Sequence, residues 1–222
     1  MKLYRLPVSA ACALLALALL VPASPVRGAD HEDEKSPMEI VKDNSETVLA
    51  ILRDPKLQGK KHREERHQKV RDAVADKFDW RAMARSSLGR HWRDRSEEER
   101  AEFTRLFRKL LEQIYIKRIE EHAANAEVNY VKEKIEEDKA VVFTTATKNG
   151  TKAPINYKMS KVEREEDEAE EGEKTWPDWM IYDVEVEGVS LLLNYREQFN
   201  EIIIGSGYDV LVRKLKKKVG AD

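Results

Sequence analysis

The sequence predicts an α+β domain in which an antiparallel sheet of about four strands packs against several helices. Apolar residues within 103–115 recur at spacings of three and four, which is typical of a helix that buries one face. Four consecutive segments between residues 128 and 187 alternate with a period of two and have no helical segment between them. The chain has 222 residues, of which 41% are hydrophobic, so it is long and apolar enough to bury a core.

The first 28 residues have the layout of a secretory signal peptide. Lys2 and Arg5 provide a positive start, residues 8–21 are almost all small or apolar, and Val26 and Gly28 offer small side chains at the −3 and −1 positions of a cleavage site. A run of about 14 residues is shorter than the roughly 20 that cross a bilayer as a helix, although a retained anchor is the alternative. We therefore expect residues 29–222 to be one mature domain outside the cytoplasm.

Charge and cysteine content exclude several classes of protein. Lys and Arg together number 40 and Asp and Glu 42, whereas nucleic-acid-binding domains usually carry a basic excess. The single cysteine, Cys12, lies in the expected signal peptide, so the mature chain would have neither disulfides nor a cysteine-rich zinc site. The sequence has no phosphate loop, dinucleotide fingerprint or Gly-x-Ser-x-Gly motif, and we predict no cofactor and no metal.

The first half of the mature chain is predicted to be helical, with polar caps at the helix starts. Ser36 can cap a first helix that begins at Pro37 and ends before Pro55. A second helix is expected over residues 61–77, and Asp79 can cap a short third one.

The clearest helix follows Ser96, which forms a capping box with Glu99. The apolar residues of this helix share one face and are Phe103, Leu106, Phe107, Leu110, Leu111, Ile114 and Tyr115. The opposite face is charged, so the helix must pack its aromatic face against another element.

The sheet and two further helices are expected in the second half. The predicted strands cover residues 128–135, 140–147, 154–162 and 179–187. Asn149-Gly150 is predicted as a hairpin turn because both residues accept positive φ. Residues 163–174 hold eight acids and two bases, which indicates a solvated acidic loop. Ser190 can cap the next helix, and the last helix ends in a basic cluster that is most often simply solvated.

Two sets of titratable residues can carry chemistry but have simpler explanations. His62 and His67 would lie about 140° apart on a helix, so we expect solvated histidines and not a shared metal. Asp183 follows Tyr182 in a predicted strand and would be a candidate general base if it faced a cavity. The alternative is that Asp183 points outward or pairs with an arginine such as Arg196.

Four strings carry a resemblance to a known family. They are Phe78-Asp79-Trp80-Arg81-Ala82-Met83-Ala84, Leu88-Gly89-Arg90-His91-Trp92, Tyr182-Asp183-Val184-Glu185-Val186-Glu187-Gly188-Val189-Ser190 and Asn194-Tyr195-Arg196-Glu197-Gln198-Phe199. Together with the capped aromatic helix, they resemble the MlaC family, also called toluene-tolerance auxiliary proteins, over about residues 40–218.

The resemblance implies a soluble periplasmic protein that holds phospholipid acyl chains in an apolar cavity between sheet and helices. It also implies two partners, an outer-membrane lipoprotein complex and an inner-membrane ABC transporter with an MCE-domain subunit. Lipid would be shuttled between these complexes, in support of outer-membrane lipid asymmetry. The family has no catalytic motif, so the resemblance implies neither an enzymatic activity nor a nucleic-acid partner.

Strand alternation and helix facing provide candidate lining residues for such a cavity. They are Phe103, Phe107, Leu110, Ile114, Phe143, Ile155, Tyr157, Trp179, Tyr182 and Val184. In a regular strand Tyr182 and Val184 share one face and Trp179 lies on the other, so the ten cannot all line one cavity. Two other functions stay open: an enzyme that uses Asp183 and a tyrosine, and an adaptor with a filled core. The identity of the lipid and the direction of transport also stay open.

Overall fold

The computed structural model describes residues 35–162 and 179–221, which form helices α1–α6 and a five-stranded antiparallel sheet. The helices are α1 Pro37–Arg53, α2 Arg63–Val74, α3 Trp80–Leu88, α4 Glu97–His122, α5 Leu191–Ser206 and α6 Tyr208–Val219. The strands, adjacent in chain order, are β1 Glu127–Glu136, β2 Lys139–Lys148, β3 Thr151–Lys161, β4 Trp179–Val186 and β5 Val189–Ser190. The predicted α+β class is confirmed. The expected signal peptide and acidic loop lie outside the described residues.

Local sequence signals determine where the helices start. Ser36 and Ser96 each accept a hydrogen bond from the backbone N–H three residues later, and both capping boxes are complete. Asp79 caps α3, and Ser190 caps α5. The helix expected over residues 61–77 is shorter, because a 3-10 turn precedes it and the α-helix ends at Val74. No helix in the described ranges is long and apolar enough to cross a membrane.

The aromatic face of α4 packs against the other helices. The ring of Phe103 lies near those of Phe107, Phe199 and Tyr208, with centroid separations of 5.8, 5.7 and 6.4 Å. Tyr195 of α5 meets the ring of Phe107 edge-on at 5.2 Å. Aromatic pairs of this kind contribute about 0.5–1.5 kcal/mol each beyond the area they bury. Met83, Ala84 and Leu88 of α3 belong to the same buried cluster, so α3, α4, α5 and α6 together form what we call the helical layer.

The sheet has one apolar and one polar face. We call the face against α1 the inner face, and its most buried residues are Ala140, Val142, Met159, Trp179 and Ile181. They pack against Ile40 and Val41 of α1. The outer face carries polar contacts, among them the amide of Asn156 with the carboxylate of Glu185 at 2.9 Å.

A β-bulge in β4 changes which residues share a face. Asp183 is opposite Lys158, but Ile181, two residues earlier, is opposite Met159. Tyr182 is therefore the extra residue of the bulge. Because directly opposite residues share a face of the sheet, a simple period of two fails at this point in β4.

Candidate functional site

The inner face of the sheet is only partly covered. α1 covers the part that holds Ala140 and Met159, which are 2% and 0% exposed. Ile155 on β3 and Val184 on β4 share this face but are only partly buried, and Val186 at the end of β4 is 42% exposed. Apolar side chains of the sheet are therefore left available to an apolar ligand.

The buried apolar residues form three clusters and not one continuous core. One lies within the helical layer, a second lies between α1 and the inner face, and a third joins α1, α2 and the far part of α4 through Val70 and Ile116. α4 packs on α3, α6 and α2, and in the described part of the chain it makes no comparably close backbone approach to a strand. α3 and α5 of the helical layer do approach β4, so any space between the sheet and the helical layer lies along α4.

Partly buried side chains border the helical cluster. They include Ile114 and Tyr115 of α4 and Leu191 and Tyr195 of α5. The hydroxyls of Tyr115 and Tyr195 are hydrogen-bonded to each other, and burial raises the pKa of Tyr195 to about 12. Burial therefore disfavours the ionised form of both tyrosines, which are uncharged at neutral pH in any case.

A cluster of polar groups lies between α1 and the otherwise apolar inner face. The hydroxyls of Tyr130 and Tyr157 both hydrogen-bond the side chain of Ser45 on α1, and burial raises the pKa of each tyrosine. The adjacent Asn44 is 8% exposed, and its Oδ1 has no hydrogen-bond partner. The sequence analysis did not identify this cluster of polar side chains. Asn44 could have indicated it, because it is an amide within the apolar stripe of α1.

The ten predicted lining residues fall into three groups. Those in or beside the helical cluster are Phe103, Phe107, Leu110 and Ile114. Those on the inner face are Ile155, Tyr157, Trp179 and Val184. Those on the outer face are Phe143 and Tyr182. The first group belongs to the helical layer and the second to the inner face, and all ten stay predictions as ligand contacts.

The bulge corrects the predicted faces of β4. The expectation that Tyr182 and Val184 share a face opposite Trp179 is wrong, because the extra residue places Trp179 and Val184 together on the inner face. Phe143 lies on the outer face, where the ammonium of Lys132 is 5.0 Å from its ring centroid. The structure therefore separates Phe143 and Tyr182 from the other candidates.

Asp183 has a structural role at the junction of sheet and helix. Its carboxylate accepts hydrogen bonds from the hydroxyl of Ser190 at 2.7 Å and from the backbone N–H of Leu192 at 3.2 Å. The ammonium of Lys158 donates a third, at 3.2 Å. Burial lowers the pKa of Lys158, but the carboxylates of Asp183 and Glu185 outweigh burial, and the net pKa is raised.

Asp183 points to the outer face of the sheet, as one alternative expected, although it is only 4% exposed there. The expected pairing with Arg196 is wrong, because Asp183 pairs with Lys158 and Arg196 donates to the carbonyl of Ser86. Asp183 lies on the outer face with Lys158, where its oxygens are occupied, so it supplies no general base to the inner face. The enzyme hypothesis loses its proposed base.

The other resembling strings hold α3 against α5. Gly89 ends α3 with φ +57°, and a Cβ there would lie 3.3 Å from the side chain of Arg196. The Nε of Arg196 donates to the carbonyl of Ser86 at 2.7 Å, and His91 lies 2.9 Å from the amide oxygen of Asn200. The most recognisable strings thus serve packing and capping.

The histidines also differ from expectation at one position. His67 is not solvated, because its Nε2 lies 2.7 Å from the carboxylate of Glu120 on α4. Arg63 and Arg66 reach the same carboxylate. These residues form a charged cluster that joins α2 to α4, beside the third apolar cluster.

Comparison with known proteins identifies relatives of this fold. A family model described as "MlaC protein" matches residues 42–217. Seven chains of solved structures match, among them the phospholipid-binding protein from Ralstonia solanacearum in complex with a phospholipid. That protein is 23% identical, the match covers 84% of this chain and 98% of that chain, and the TM-score is 0.67. At this identity the likeness shows a common fold. No curated protein matches the chain.

Proposed function

Because the chain belongs to the MlaC family, we propose that it is a soluble carrier that binds phospholipid acyl chains between its inner face and its helical layer. The observation that carries the proposal is the partly uncovered apolar inner face, together with a long helix, α4, that does not approach the strands closely. A phospholipid complex of a protein with the same fold supports it.

Magnitudes explain what such a carrier does. Each buried methylene contributes roughly 0.8 kcal/mol, so two acyl chains with about 30 methylenes gain over 20 kcal/mol relative to water. A bilayer offers the lipid nearly the same gain. The carrier therefore need not bind lipid more tightly than a membrane does; it removes the aqueous barrier between membranes.

The rest of the proposal concerns location and partners. Residues 1–28 would direct export and be removed, and residues 29–222 would act in the periplasm as a single lipid-binding domain. The partners would be the outer-membrane lipoprotein complex and the ABC transporter with an MCE-domain subunit. Net direction would come from those partners, because the sequence has no nucleotide-binding motif of its own.

Native mass spectrometry of protein purified from bacterial periplasm tests lipid binding. We expect a phospholipid adduct on the wild-type protein. Ile155→Glu, which puts a charge on the partly open inner face, should lose the adduct. Thr145→Glu is the matched control, since Thr145 lies on the outer face of the neighbouring strand β2.

Two results would contradict the proposed lipid binding. Wild-type protein that is repeatedly empty, and that takes up no labelled phospholipid from vesicles, would favour the adaptor with a filled core. An Ile155→Glu protein that is folded by circular dichroism and still carries lipid would place the ligand elsewhere.

A further inference from the structure

A pocket outside the proposed lipid space opens between the start of α3 and the second to fourth turns of α4. Its volume is about 340 Å³. The residues that line it are Trp80, Arg81, Ala101, Thr104, Arg105 and Arg108. Three of them are arginines, none is acidic, and none belongs to the inner face of the sheet.

Two of the guanidinium groups are held in place. The Nε of Arg108 donates to Glu112 at 2.7 Å, and its guanidinium carbon lies 5.1 Å from the ring centroid of Trp80. Arg81 donates to Glu97 at 2.8 Å. A carboxylate and an indole thus fix the direction of positive charge at the pocket before any ligand binds.

The third guanidinium is uncommitted. Arg105 is exposed and has no hydrogen-bond or ion-pair partner among residues 35–162 and 179–221. Glu97 is shared with Arg100, so the carboxylates around the pocket are already engaged by other arginines. Arg105 therefore leaves one positive charge at the pocket that no residue in the described ranges pairs with, beside two arginines whose charges are partly balanced by Glu97 and Glu112.

We propose that this pocket binds a phosphate group, supplied by a dissolved phosphate ester or by a phospholipid headgroup at a membrane surface. Guanidinium groups match phosphate oxygens in paired hydrogen bonds, and arginine is the residue best suited to that geometry. The volume is at the lower end of the range for small-molecule sites, about 300–1,000 Å³. A concave site of this size suits a compact anion better than an acidic protein surface.

NMR of the Trp80 indole tests the proposal, because this side chain lines the pocket and its Nε1 donates to the carbonyl of Ala75 at 3.1 Å. Titration with inorganic phosphate, and then with glycerol 3-phosphate, at constant ionic strength should shift the indole signal saturably. Arg105→Gln should weaken binding about tenfold or more. Arg85→Gln, an exposed arginine of α3 outside the pocket, should leave binding unchanged.

Loss of saturation, or equal weakening by both variants, would overturn the proposal.

Sedimentation with vesicles of phosphatidylcholine, with and without phosphatidylglycerol, distinguishes the two sources of the phosphate group. Vesicle binding that depends on Arg105 and is competed by phosphate indicates a headgroup, whereas saturation by dissolved phosphate without vesicle binding indicates a soluble ester. A glutamate-rich peptide that binds where phosphate does not would contradict the site. Arg105→Gln should keep its lipid adduct, so this test is independent of the carrier function.

Discussion

The helical layer and the inner face of the sheet are made of similar apolar residues that are packed to different degrees. Phe103 and Phe107 are 0% and 1% exposed and make ring contacts with neighbouring helices. Ile155 and Val184 lie on a face that α1 covers only in part. In the helical layer the apolar side chains are buried against each other, and this burial stabilises the fold. On the inner face some apolar surface is still uncovered, and burial of that surface would favour binding of an apolar ligand.

The largest expected effect is on the stability of the helical layer. Phe103→Ala should lower the free energy of unfolding of lipid-free protein by about 3–5 kcal/mol, because it removes a fully buried ring. Ile155→Ala should cost less than about 1.5 kcal/mol, since its side chain is only partly buried. Urea unfolding monitored by circular dichroism measures the free energy of unfolding of both variants. Similar losses in the two variants would contradict the difference in packing between the helical layer and the inner face.

A smaller loss is expected where the sheet meets α5. Asp183→Ala should lower the free energy of unfolding by about 2–3 kcal/mol, because the hydroxyl of Ser190 and the ammonium of Lys158 lose a buried acceptor. Lipid binding per folded molecule should be unchanged, as measured by native mass spectrometry. A stable Asp183→Ala protein would show that the carboxylate is dispensable for the fold.

The smallest effect should be a gain in stability. Asn44→Leu replaces an amide whose buried oxygen has no partner by an apolar side chain of similar size. We expect lipid-free protein to be more stable by about 1 kcal/mol. Thermal unfolding with the wild type as control measures the change. A loss of stability would mean that the Asn44 amide has a hydrogen-bond partner in solution. The region between α1 and the inner face would then contain a further polar group.

Sequence patterns predicted most of the fold because its signals are local. Capping boxes at Ser36 and Ser96 and the spacing from Phe103 to Tyr115 depend on residues within a few positions of each other. The hairpin at Asn149-Gly150 depends on two residues whose φ is positive.

The site was harder to predict because its determinants are not local. The bulge at Tyr182 exchanges faces along β4, and only the pairing with β3 shows it. Ser45 meets Tyr130 and Tyr157, which are distant in sequence. His67 on α2 contacts Glu120 on α4, which is also distant in sequence. The predictions that failed were those that depend on contacts between residues far apart in the chain.

Site-specific photocrosslinking in bacterial cells tests the central claim most directly. A benzoylphenylalanine at position 155 should capture phospholipid, because Ile155 lies on the partly open inner face. The same group at position 145, on the outer face of β2, should capture none. Phospholipid attached equally at both positions, or absent from position 155 in folded protein, would contradict binding between sheet and helices.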